Sequence, residues 1–157
     1  MGALRRAMAS AALVIMVAGP ASSQTLEKKV LSLEAAMKIA VAAEAAAREK
    51  GVGVVIAIVD DGGHLILLHR LDDTQVASVN VGIGKARTAA IYRRPSKDFE
   101  DQIRAGRVAA LALADSTPLQ GGVPIRLDGK VIGAVGVSGD TPQVDEAIAI
   151  AGANAFK

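Results

Sequence analysis

Apolar and polar positions alternate in blocks along the chain, and the period of each block predicts an element. From Leu33 to Lys50 the apolar positions Leu33, Met37, Ala40, Val41 and Ala47 approximate a helical stripe. Ser32 stands at the N-cap, Glu34 favours the positive end of the helix dipole, and Gly51 stands where a terminating glycine belongs. Val54 to Val59 is a continuous β-branched run of strand length, as a strand covered on both faces would be. Asp60, Asp61, Gly62 and Gly63 supply turn chemistry, and His64 to Leu71 reads as the return strand of a hairpin. Asp73 or Thr74 is expected to cap a second helix over about 76–91, with Val76, Val79, Ile83, Ala86 and Ala90 at helical spacing. Gly82 and Gly84 weaken that helix by about 1 kcal/mol each, which implies that they permit a close contact.

Arg93, Arg94 and Pro95 interrupt the pattern, and Ser96 is placed to cap a short helix from Lys97 to about Arg104. The stretch 107–114 fits a helix or a strand equally. Val123 to Leu127 and Lys130 to Ser138 are strands joined by Asp128-Gly129, a strong hairpin turn. Thr141 caps the last helix, with Pro142 first and Asp145 and Glu146 in its opening turns; Val144, Ala147, Ile148 and Ala151 form its expected buried face. Two hairpins separated by helices predict an α+β domain: a single antiparallel sheet of about five strands with helices packed on it, in the order α-β-β-α-α-(β)-β-β-α.

The first stretch stands apart. Arg5 and Arg6 precede an apolar run over 7–19, and Pro20, Ala21, Ser22 and Ser23 follow. That is the layout of a secretory signal peptide over 1–23, and its apolar run over 7–19 is too short for a membrane span of about 20 residues. The expectation is an exported protein, periplasmic or secreted, whose mature domain covers 24–157. The formal charge of +2 comes from 18 basic and 16 acidic residues. Removing Arg5 and Arg6 leaves 16 against 16, so the basic precursor is no argument for nucleic-acid binding. Tyr92, Phe99 and Phe156 are the only aromatic residues, too few for a base-stacking platform. The chain has no cysteine, so the domain does without disulfides and thiolate ligands.

The available chemistry is sparse. His64 and His69 are the only imidazoles. Five residues apart on a strand, they point to opposite faces and cannot chelate one ion together without a bulge. Either His64 is a turn residue and His69 an ordinary strand residue, or one of them is an axial ligand to haem iron, which needs one imidazole. The sequence has no HExxH, no GxSxG and no complete phosphate loop; Gly82-Ile83-Gly84-Lys85 lies inside a helix. Asp98 and Asp101 read as a solvated acidic face. Gly121-Gly122 either brings backbone N–H groups to an anion such as a propionate or simply supplies φ > 0. Asp60, His64 and Lys85 are the groups on which acid–base chemistry on a small organic acid would rest.

Four segments carry a resemblance: Ile56 to Asp73, Gly84 to Ala90, Gly121 to Gly139 and Pro142 to Ala149. In that order they resemble the GlcG/HbpS-like haem-binding family, to which the C-terminal domain of PduO-type proteins is related. The resemblance implies one antiparallel sheet with helices packed on it, homo-oligomers, and haem binding with haem-degrading or iron-handling activity in some members. On that reading His64 or His69 ligates iron, Arg70 or Lys85 pairs a propionate, and the Gly121-Gly122 loop lies against the haem. The chain departs from some exported relatives. Its first helix has Glu34, Glu44 and Glu49 without a D/E-x-x-E pair, and His69-Arg70-Leu71-Asp72 replaces the more usual E-R-M-D. A cofactor-free enzyme or accessory subunit acting on a small organic acid is the competing reading.

Overall fold

The computed structural model describes residues 24–156, so the predicted leader over 1–23 lies outside the described residues. Four helices, α1 (Leu33–Glu49), α2 (Ser78–Ile91), α3 (Lys97–Arg104) and α4 (Pro142–Asn154), accompany four strands, β1 (Val55–Asp60), β2 (Leu65–Arg70), β3 (Gly122–Leu127) and β4 (Lys130–Ser138). The strands form one antiparallel sheet in the order β2-β1-β4-β3. The domain is α+β, as the hairpin pattern implies. The sheet has four strands rather than about five, because Val108–Ala112 turns as a 3₁₀ helix instead of pairing. None of the described helices is long and apolar enough to cross a membrane.

The two faces of the sheet are built differently, and strand alternation is the reason. On one face Ile56, Ile58, Val135 and Val137 meet α1 and α4 in the larger core, together with Ile125 and Ile148. On the other face Ala57, Val59 and Ala134 meet Ala86, Ala89 and Ala90 of α2. Small side chains there bring α2 unusually near the sheet. A Cβ on Gly136 of β4 would stand 2.1 Å from the Gly82 carbonyl oxygen, and one on Gly122 of β3 would stand 2.1 Å from that of Lys85. A Cβ on Gly84 would likewise strike the Thr117 hydroxyl, so both weak points of the second helix are points of contact.

Three local expectations give way to packing. Of the expected α1 stripe, Ala40 and Ala47 are buried, but Leu33, Met37 and Val41 face outwards, 56%, 53% and 63% exposed. Ala36, Ile39 and Ala43 complete the buried face against α4, where Gly152 leaves room beside Ala43 and Ile39. In α4 the buried residues are Asp145, Ile148, Ala149 and Gly152, with Ala147 exposed. Neither Asp73 nor Thr74 caps α2, whose N-cap is Ala77 without a side-chain bond; Thr74 Oγ1 donates to the Leu71 carbonyl at 2.7 Å. Ser96 makes no cap bond to α3, but Ser32 and Thr141 cap α1 and α4 as expected.

One ion pair ties the layers together. Lys85 of α2 reaches past Gly121 and donates to Asp145 of α4 at 2.8 Å and to the Val137 carbonyl at 2.9 Å. Both side chains are almost fully buried. A Cβ on Gly121 would stand 2.9 Å from Lys85 Nζ, and its φ of +125° is one that glycine tolerates. Burial pushes the Asp145 carboxyl above its ordinary value, against the pull of Lys85 and of the Asp140 and Gly139 backbone N–H groups.

Replacing Lys85 by Met leaves that carboxylate buried and unpaired, a loss of about 3–5 kcal/mol. The folded-state pKa then rises further above the unfolded value. The penalty is therefore complete above the folded pKa and fades as pH falls towards 3.8. Urea unfolding of K85M and the parent at pH 7.5 and pH 5 is expected to show a smaller difference at the lower pH. An equal difference at both would contradict the unpaired carboxylate.

Candidate functional site

The β1–β2 turn begins at Asp60. Its Oδ1 accepts the Gly62 and His64 backbone N–H groups at 2.9 and 2.8 Å, which closes the turn as an Asx-type loop. Burial works to raise the Asp60 carboxyl. The His64 backbone N–H, the His64 ring and the Gly62 N–H outweigh it and hold the group below its usual range. Asp61 pairs with Lys28 at 2.7 Å.

His64 precedes β2 rather than lying in it, and its side chain is 82% exposed. Nδ1 stands 3.3 Å from Asp60 Oδ1. A proton on Nδ1 would face Asp60 and leave Nε2 as the lone-pair donor, the arrangement in which a carboxylate orients an imidazole ligand. His69 is at the opposite end of β2, paired with Ile56 on the α1 face. Its side chain is 32% exposed, and Nδ1 lies 3.0 Å from Glu44 Oε2. Hydrogen bonds from Arg48 first, then from His69, hold the Glu44 carboxyl below its ordinary value. Five residues of strand place the two histidines about 16 Å apart, so the structure does not bring them together.

The other predicted site residues divide. Arg70 is exposed at the His69 end, with no side-chain partner among the described residues. Lys85 is occupied by Asp145 in the interior. Asp60 pairs with Gly133 in the sheet, whereas Lys85 bonds the Val137 carbonyl four residues further along β4, about 13 Å away. Asp60, His64 and Lys85 are thus not gathered into one acid–base group. The Gly122 N–H donates to Ser96 Oγ at 2.8 Å, its carbonyl accepts from the Ser96 N–H at 2.9 Å, and the Gly121 carbonyl accepts from the Val137 N–H at 2.9 Å. The double glycine serves close packing and the start of β3.

Sequence reasoning missed two arginines at this end of the sheet, one on each hairpin turn. Arg87 Nε donates to the Gly63 carbonyl at 3.2 Å, and Arg126 donates to the Arg93 carbonyl at 2.7 Å and to that of Gly129 at 3.3 Å. The β3–β4 turn lies at the same end of the sheet as the β1–β2 turn, because β1 and β4 run antiparallel. No local pattern in the sequence announces this gathering. Among the described residues no group of three or more His, Asp or Glu side chains is placed to hold a metal ion. The exposed His64 ring offers the single imidazole that an axial ligand to haem iron needs. A cavity of about 210 Å³ is lined by Ser32, Ala35, Lys38 and Phe156, away from both histidines.

The comparisons with known proteins agree with this fold. Residues 31–154 match the family described as haem degrading protein HbpS-like. Protein GlcG of Escherichia coli K12 is 43% identical over 111 residues, covering 71% of this chain and 83% of GlcG. The crystal structure of HbpS superposes with a TM-score of 0.81 at 28% identity, over 89% of this chain and 99% of that one. A crystal structure of a PduOC haem complex superposes with a TM-score of 0.74 at 26% identity, over 81% and 95%. The open four-stranded sheet, its two unequal faces and the match over nearly all of the described residues together make this chain a member of the HbpS-like family.

Proposed function

We propose that this protein is an exported haem-binding protein, acting as a homo-oligomer, in which His64 supplies an axial ligand to iron. The observation that carries the reading is family membership joined to a solved relative crystallised with haem. His64 is favoured over His69 because its side chain is 82% exposed against 32%, with Nε2 free of the chain. The basic, apolar and small-residue sequence of the leader supports export.

An open site on one chain calls for a second wall, and the outer face of α1 offers a way to build assemblies. Leu33, Met37 and Val41 form an exposed stripe symmetric about Met37. Antiparallel packing of two copies about a two-fold axis through Met37 brings Leu33 of each copy onto Val41 of the other. The shallow groove beside this stripe is lined by Glu34, Met37, Lys38 and Val41.

A hemin titration of residues 24–157, followed at the Soret band, is expected to saturate with a sharp shift. His64→Ala should weaken it at least tenfold and His69→Ala should leave it nearly unchanged. The reverse order would move the ligand to His69, and a broad, unsaturating change would contradict a haem site. If small carboxylic acids raise the melting point and hemin does not, the ligand is an organic acid instead. Val41→Glu places charge on the two-fold stripe and should lower the mass found by light scattering; an unchanged mass would refute that contact. The family's description extends the reading to haem degradation. Supplying reductant and dioxygen to the complex should bleach the Soret band with release of iron, and a band that persists would restrict the protein to binding.

A further inference from the structure

Arg87 bonds the β1–β2 turn that precedes His64, and Arg126 bonds the β3–β4 turn at the same end of the sheet. Gly63 adjoins His64, and its carbonyl accepts from Arg87 Nε at 3.2 Å. A Cβ at Gly63 would stand 3.2 Å from the Ile91 side chain, so α2 ends directly beside the turn. Arg93 follows Ile91 by two residues, a span of at most about 7 Å. It is exposed, and its guanidinium has no partner among the described residues. Its backbone is held in the left-handed region, φ +58°, which costs a non-glycine residue about 1–2 kcal/mol. Arg126 maintains that conformation through its bond to the Arg93 carbonyl. Two of the five N–H donors of Arg126 are used on carbonyls, which leaves donors for a ligand.

The local carboxylates do not neutralise this group. Asp60 serves the turn and His64, and Asp61 is paired with Lys28. Asp128 is exposed in the β3–β4 turn, beside Arg126 and Lys130 in sequence, and its side chain has no partner among the described residues. A flat ligand on His64 Nε2 would thus have cationic forks on the α2 side of the turn. Guanidinium forks match carboxylate geometry.

We infer that Arg93 and Arg126 bind the carboxylates of a porphyrin diacid whose metal faces His64, in place of the Arg70 and Lys85 pairing that the sequence suggests. Lys85 is buried against Asp145, and Arg70 lies at the far end of β2. The inference rests on the haem reading for its ligand, but the anion site is separable from the iron ligand.

Iron-free mesoporphyrin and its dimethyl ester make that separation. Fluorescence titration of the protein with mesoporphyrin should weaken about tenfold or more in Arg93→Ala and be partly restored in Arg93→Lys. The ester should bind R93A as it binds the parent. His64→Ala should weaken hemin binding by a larger factor than it weakens mesoporphyrin binding, because only hemin carries the iron that the imidazole ligates. If R93A binds the diacid as the parent does, or loses diacid and ester equally, the inference is overturned, as it is if the parent binds neither porphyrin. If R93A weakens the diacid while H64A leaves hemin unaffected, the anion site stands and the iron ligand alone is wrong.

Discussion

The close seating of α2 on the sheet is the constraint on which the rest of the molecule depends. A methyl group at Gly136 would collide with the Gly82 carbonyl, and one at Gly122 with that of Lys85. Overpacking of this kind costs about 1–3 kcal/mol even where neighbours adjust, and backbone atoms adjust least. The helix therefore has essentially one position over β4 and β3. That position is bought with small residues, so the α2 face contributes less apolar burial than the face under α1 and α4. The larger core of Ile, Val and Ala on the other side compensates.

Once α2 is fixed, two of its basic side chains do different work. Lys85 is delivered to Asp145 through the gap that Gly121 leaves, and the pair joins α2 to α4 around the start of β3. Towards the C-terminus, Arg87 is delivered to the Gly63 carbonyl and the helix ends beside the His64 turn. Lys85 of α2 thus pairs in the interior, while Arg87, two residues on, bonds the turn that precedes an exposed imidazole. The chemistry sits at the end of the sheet where the backbone turns and the side chains reach solvent, as binding residues on a rigid scaffold generally do.

Much of this architecture was legible in the residues. Both hairpins, the cap and end of α1, the bounds of β4 and α3, and the meaning of Gly82 and Gly84 follow from period and turn chemistry. The face of α1 did not. Hydrophobicity ranks Leu33, Met37 and Val41 above alanine, but the contact with α4 selects small residues that let two helices approach. The 107–114 stretch has apolar content that suits either period, and it turns as a 3₁₀ helix over Val108–Ala112. In the site, the carboxylate beside each histidine was half legible: Asp60 is four residues from His64, whereas Glu44 is 25 from His69. The Lys85–Asp145 pair spans 60 residues and the Arg126–Arg93 bond 33. Such partners are set by topology, and no local pattern contains them.

The most direct measurement of the central claim is a crystal structure of the complex with haem. The account places iron on His64 Nε2 at the tip of the β1–β2 hairpin, with the carboxylates directed to Arg93 and Arg126. Iron on His69 beside Glu44, or haem seated on the α1 stripe with His64 free, would contradict it.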